Sequence, residues 1–235
     1  MKIYLKIFKN YQSSAGFTLI EFLVAMAITS IVISVAGFGL VTIMQRNGKE
    51  ESENARRVEL NRALDFISDD IRMASKVKVA SSYTISPASP ACGSPTPVPV
   101  LHLTIPDSPT NNEIVYYFND ISNCTGNTPA TKSLWIKPAF IKRVQNVTTT
   151  TIAGSNGSEL VDAITNEDVT PNCPTDLSTV SPTPNANGKV KGFYACTNSS
   201  NPRAVELHLL GNITDAYGNF IKTYEVKTRV FARSS

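Results

Sequence analysis

The chain has 235 residues, 42% of them hydrophobic, with four cysteines and a formal net charge of +3. That length allows one ordinary domain plus an appendage. The excess charge lies in the first 16 residues, where Lys2, Lys6 and Lys9 meet no acid; 22 basic side chains minus these three leaves 19 against 19 acidic ones. The remainder is neutral overall, which excludes a general electrostatic attraction to nucleic acid or to an anionic membrane surface.

From Phe17 to Met44 there are 28 residues with a single charge, Glu21. As a helix this stretch is about 42 Å long, enough to cross a hydrocarbon core of about 30 Å. The unopposed lysines before it predict that the N-terminus stays in the cytoplasm and the C-terminal part is exported. Arg46 and Lys49 follow the stretch together with Glu50, Glu51 and Glu53, so the orientation rests mainly on the leader and on the cysteines. A secretory signal carries its small-residue cleavage site after a shorter apolar region. Here the small residue, Gly16, comes before it.

The junction reads SSAGFTLIEFLVAMAIT, and Gly16, Phe17, Thr18, Leu19, Ile20 and Glu21 resemble the type III signal of type IV pilins and pseudopilins. The resemblance covers about the first fifth of the chain. It implies cleavage between Gly16 and Phe17 by a prepilin peptidase and methyltransferase, with N-methylation of Phe17. Glycine before the scissile bond leaves the backbone unobstructed. The resemblance also gives Glu21 its role. A carboxylate within a bilayer costs at least a few kcal/mol and is kept where something pairs with it; in this family the expected partner is the new amino terminus of a neighbouring subunit.

Beyond Met44 helical periodicity continues: Leu60, Leu64, Ile67, Ile71 and Ala74 recur in steps of four and three, opposite Arg62, Asp65, Asp69 and Arg72. That is the stripe of an amphipathic helix. No proline occurs between residues 17 and 86, so one helix from Phe17 to about Met73 is expected. Gly37 and Gly39 flank Phe38 near the position where major pilins commonly carry proline. They mark either local unwinding during assembly or close helix packing. The segment RALDFISDDIRMAS, Arg62 to Ser75, resembles the helix end of PilW-like minor pilins and of the J-type minor pseudopilins of type II secretion.

After about Ser81, short strands are expected at 98–105, 113–118, 133–137, 141–147, 204–210 and 224–231, several with alternating polarity. Stretches 84–97 and 170–190, rich in Pro, Ser, Thr and Asn, read as surface loops. Cys92, Cys124, Cys173 and Cys196 show no metal-ligand spacing and read as two disulfides in an oxidising compartment. Of three possible connectivities, the short-loop pairing of Cys92 with Cys124 and Cys173 with Cys196 is the expected one. His102 and His208 fall on the polar phase of predicted strands and are expected to be solvated. Asp69 and Asp70 point apart on a helix and form no carboxylate pair. Five Asn-x-Ser/Thr triplets, at Asn123, Asn146, Asn156, Asn198 and Asn212, read as turn chemistry. No catalytic, metal or cofactor-binding constellation emerges, so neither an enzyme nor a bound cofactor is expected.

The expected fold class is α+β: a long N-terminal helix packed on an antiparallel β-sheet head, the lollipop form that the resemblance implies. Residues 1–16 would be a cleaved leader, 17–44 the transmembrane and filament-core helix, 45–76 its amphipathic continuation and 81–235 the exported head. The expected function is that of a minor type IV pilin at the initiation or tip of a filament, serving adhesion, motility or DNA uptake. The alternatives are a J-type minor pseudopilin of type II secretion and, in a different class, a membrane-anchored periplasmic enzyme or binding domain. Expected partners are the prepilin peptidase, other pilin or pseudopilin subunits, an inner-membrane assembly platform and the membrane before assembly; nucleic acid enters only as pilus cargo. The chain would reside in a bacterial inner membrane and then in a pilus or pseudopilus at the cell surface.

Overall fold

The computed structural model describes residues 18–79, 83–86, 97–106, 113–120, 139–147, 149, 151–153, 157–198, 201–214 and 220–233. It divides into two compact units, one up to Gly48 and one from Lys49. Helix α1, Leu19–Met73, contributes to both. Within the first unit, α1 exposes its apolar side chains throughout, with Leu19 80% and Phe38 77% accessible. It is the one described helix long and apolar enough to cross a membrane. The hydroxyls of Thr29, Ser34 and Thr42 donate to the carbonyls of Ala25, Ser30 and Phe38, four residues back, so these polar groups satisfy themselves. The helix is unbroken at Gly37 and Gly39, and a Cβ at either would meet nothing within 4 Å.

In the second unit α1 is amphipathic. Leu60, Leu64, Ile67, Ile71 and Ala74 are buried, and Arg62, Asp65, Asp69 and Arg72 face solvent. The helix ends where its period does. The Ala74 N–H still reaches Asp70 O at 3.0 Å, after which the alternating Lys76-Val-Lys-Val turns to strand.

Two antiparallel sheets share the helix stripe. Strands β1 (Lys76–Val79), β2 (Thr84–Ser86), β3 (Val98–Thr104), β4 (Glu113–Asn119), β5 (Phe140–Gln145), β6 (Thr151–Ala153) and β7 (Ser158–Val161) are followed by β8 (Thr179–Ser181), β9 (Phe193–Asn198), β10 (Asn201–Thr214) and β11 (Phe220–Phe231). One sheet has the order β1-β3-β4-β5-β7 and the other β11-β10-β9-β8, while β2 and β6 form a separate parallel pair. One core joins Leu60, Ile67 and Ile71 to Leu103, Tyr116 and Ile141 of the first sheet and to Phe193, Leu207 and Val230 of the second. Each fully buried aliphatic side chain contributes about 1.5–3 kcal/mol.

Leu60 sits directly on Gly211 of β10: a Cβ there would come within 2.7 Å of Leu60 Cδ1. Glycine lets the helix approach the strand, and Gly211→Ala is expected to cost about 1–3 kcal/mol by overpacking. Denaturant unfolding of the full chain in detergent measures it; an unchanged midpoint would contradict the close approach.

Both sheets are covered on their second faces as well. Over the first sheet, Ile85 of β2 and Ile152 of β6 pack on Val115, Tyr117 and Val144. Over the second, Leu177 and Val190 cover Tyr194, Cys196 and Leu210, with a disulfide joining Cys173 to Cys196 of β9. Residues 170–190 are therefore not a free surface loop: they contain β8, and Val190 bridges to Val169. In the same way β2 occupies part of the 84–97 stretch. The strand expected at 133–137, and Cys92 and Cys124, lie outside the described residues. Of the triplet asparagines, Asn146 takes a left-handed turn conformation with φ 55°, whereas Asn198 and Asn212 lie in strands.

Candidate functional site

Glu21 is the only charged side chain in the apolar stretch, and the structure gives it a local role that the sequence reading did not assign. Thr18 precedes the first helical residue, and its N–H and hydroxyl both donate to Glu21 Oε2, each at 3.0 Å. The Glu21 N–H reaches back toward Thr18 Oγ1 at 3.3 Å. This reciprocal arrangement is a capping box, which satisfies N–H groups that the first helical turn leaves unpaired. The Thr18-x-x-Glu21 spacing before an apolar run is its sequence signature. Both bonds from Thr18 use Oε2, so Oε1 accepts none from the described residues. The carboxylate is thus anchored at its own helix start through one of its two oxygens. Gly16 and Phe17 lie outside the described residues.

Two charged groups buried against the sheets also went unassigned. Asp70, 4% exposed, accepts a bond from Arg143 Nε at 2.6 Å and another from the Tyr116 hydroxyl. The Arg143 guanidinium stacks over Phe66 at 5.2 Å. Burial raises the Tyr116 pKa above the ordinary tyrosine range, and the Asp70 bond adds to it. Asp70 lies on the buried side of the helix, three residues from Ile67 and four from Ala74, and that position is the signal that marks it. Asp69, one position away, pairs with exposed Arg72. Arg56, 7% exposed, bonds Asp162 at 3.1 Å and Glu59 at 2.8 Å.

The histidines are a correction: His102 is 3% exposed and His208 fully buried. Both point away from α1, as their polar phase indicates, but that face is covered rather than solvated. His208 Nδ1 lies 2.7 Å from Glu225 Oε1, and its ring stacks on Tyr194 at 4.4 Å. Its Nε2 lies 3.0 Å from Glu206 Oε1 without the alignment of a hydrogen bond. Among the described residues no three His, Cys, Asp or Glu side chains are grouped to hold a metal.

Residues 11–41 match the family model described as the prokaryotic N-terminal methylation motif. No curated protein and no solved structure matches the chain. The matched segment is the signal of type IV pilins and pseudopilins. It implies processing by a prepilin peptidase and assembly with other pilin subunits, and it supports a structural role.

Proposed function

We propose that the chain is a minor type IV pilin, cleaved between Gly16 and Phe17 and then incorporated at the initiation or tip of a pilus. The observation that carries this reading is the methylation-motif match over residues 11–41, which contains the Thr18–Glu21 capping box. Phe17 directly precedes Thr18, so cleavage would create an amine at the same end of the helix. A second subunit's amine offered to Oε1 would neutralise a carboxylate that is costly in hydrocarbon. The match is available only in one axial register, which makes the pair a selector for incoming subunits. Cleavage would also remove all three leader lysines, turning a membrane-insertion signal into an assembly contact. N-methylation leaves the amine able to carry its proton.

The segment Arg62 to Ser75 resembles PilW-like minor pilins and J-type pseudopilins alike, so a J-type pseudopilin of type II secretion is the second reading, by the same charge logic. Deleting the gene and scoring surface pili against secreted enzymes separates the two. Lost pili with normal secretion is the expected result; lost secretion with normal pili would replace the pilus reading by the secretion one.

A further inference from the structure

We propose that the β2–β6 pair is an acid-released flap over the second face of the five-stranded sheet, latched through Tyr83 with His102 as its sensor. The flap is small: three residues in each strand, whose Ile85 and Ile152 cover Val115, Tyr117 and Val144. Its polar tie is Tyr83, immediately before β2. The Tyr83 hydroxyl donates to Glu113 Oε2 at 2.7 Å and lies 3.1 Å from His102 Nε2, with the two rings edge to face at 4.8 Å.

Proton bookkeeping fixes the state of this latch. The tyrosine spends its only proton on the Glu113 carboxylate, so its oxygen accepts from His102 Nε2–H. The imidazole is then the neutral Nε2 tautomer, and Nδ1 faces a buried space with no partner among the described residues. A second proton would have to sit on Nδ1 as a buried, unpaired N–H, which costs the full desolvation of that group.

The charges around His102 divide. Glu113 on β4 lies 3.4 Å from Nε2 and favours the imidazolium, whereas Lys78, paired directly opposite His102 on β1, opposes it. On the same face Tyr83 and Tyr117 are held protonated chiefly by burial, and Lys142, opposite Tyr117 on β5, lies 3.9 Å from Glu159 of β7, so these two charges largely offset each other. Burial is the largest influence on His102 and lowers its pKa below the ordinary histidine value, with Glu113 pulling the other way.

The sign follows from linkage. In the closed flap His102 binds fewer protons than in an open one, so closure is fully stable above the ordinary histidine pKa of about 6.5 and weakens as pH falls below it. Acid would lift the flap and expose Ile85, Val115, Tyr117 and Ile152 as an apolar face. This inference does not depend on which filament the chain enters.

Hydrogen exchange of the full chain in detergent, corrected for intrinsic rates, tests it between pH 7.5 and pH 5. Exchange at 83–86 and 151–153 is expected to accelerate on acidification, approaching tenfold per pH unit, the limit for one proton, while β10 stays protected. His102→Gln keeps an N–H for Tyr83 but cannot titrate, and should flatten the response. Tyr83→Phe should raise exchange in the same segments already at pH 7.5. A flat wild-type profile, or an unchanged acid response in His102→Gln, would overturn the proposal.

Discussion

Replacing Glu21 by alanine is expected to leave the chain in the membrane and to remove it from filaments. The substitution takes a carboxylate out of the apolar stretch, where a charge is disfavoured, so insertion should become no harder. On the proposed reading, what is lost is the acceptor for a neighbouring amine, and with it the register that the pair would select. Recovery in the membrane fraction should be unchanged while recovery in sheared filaments falls about tenfold or more, the effect of losing about 1.4 kcal/mol or more of subunit contact. Thr18→Ala separates the two roles of the carboxylate. It removes the cap, worth about 1 kcal/mol, but leaves the charge, so incorporation should fall much less than in Glu21→Ala. Normal incorporation of Glu21→Ala would sink the pairing.

The second large effect concerns the head. Asp70→Ala should destabilise it by about 3–5 kcal/mol, because Arg143 would remain largely buried without its counter-charge. Burial opposes the charged form of Arg143, and the bonds to Asp70 and Tyr116 outweigh it, raising its pKa. Removing Asp70 keeps the burial and deletes the compensation, and it orphans the Tyr116 hydroxyl as well. Against a typical domain stability of 5–15 kcal/mol, that brings the head close to unfolding. Asp69→Ala is the internal control. Its pair with Arg72 is solvent-exposed on both sides, and such pairs contribute about 0–1 kcal/mol. Urea unfolding of both variants measures the contrast, and similar midpoints would contradict the buried pair.

The two carboxylates differ in how far the sequence discloses them. Glu21 stands out because it is the single charge among apolar residues, and its place four residues after Phe17 gives it its proposed role. Its capping bond to Thr18 is written in the same four residues, but a reading that treats Glu21 as a membrane charge does not ask what it bonds locally. Asp70 is harder to see, since Asp69 and Asp70 look alike until the helix is rotated and one of them falls on the Leu60–Ile71 stripe.

Strand content was legible where the alternation is long enough to count, as in β3, β4, β10 and β11. Strands β2, β6, β7 and β8, of three or four residues, are too short to carry a period. β9 is buried on both sides and reads as a mixed run, Phe-Tyr-Ala-Cys-Thr-Asn. The histidines show a further limit: alternation tells which way a side chain points, not what lies over it. His102 and His208 both face away from the helix, yet β2 and the segment around Leu177 close over those faces. Such covers are built from Pro-, Ser- and Asn-rich chain that looks like solvent-exposed loop in composition alone.

The filament reading rests on one processing event, and the mass of the mature chain reads it directly. Intact-mass and N-terminal peptide analysis of the chain recovered from sheared surface filaments should show residues 1–16 removed and a methylated amine on Phe17. A chain that retains Met1 to Gly16, or that is found only in the membrane with its leader intact, would contradict the account.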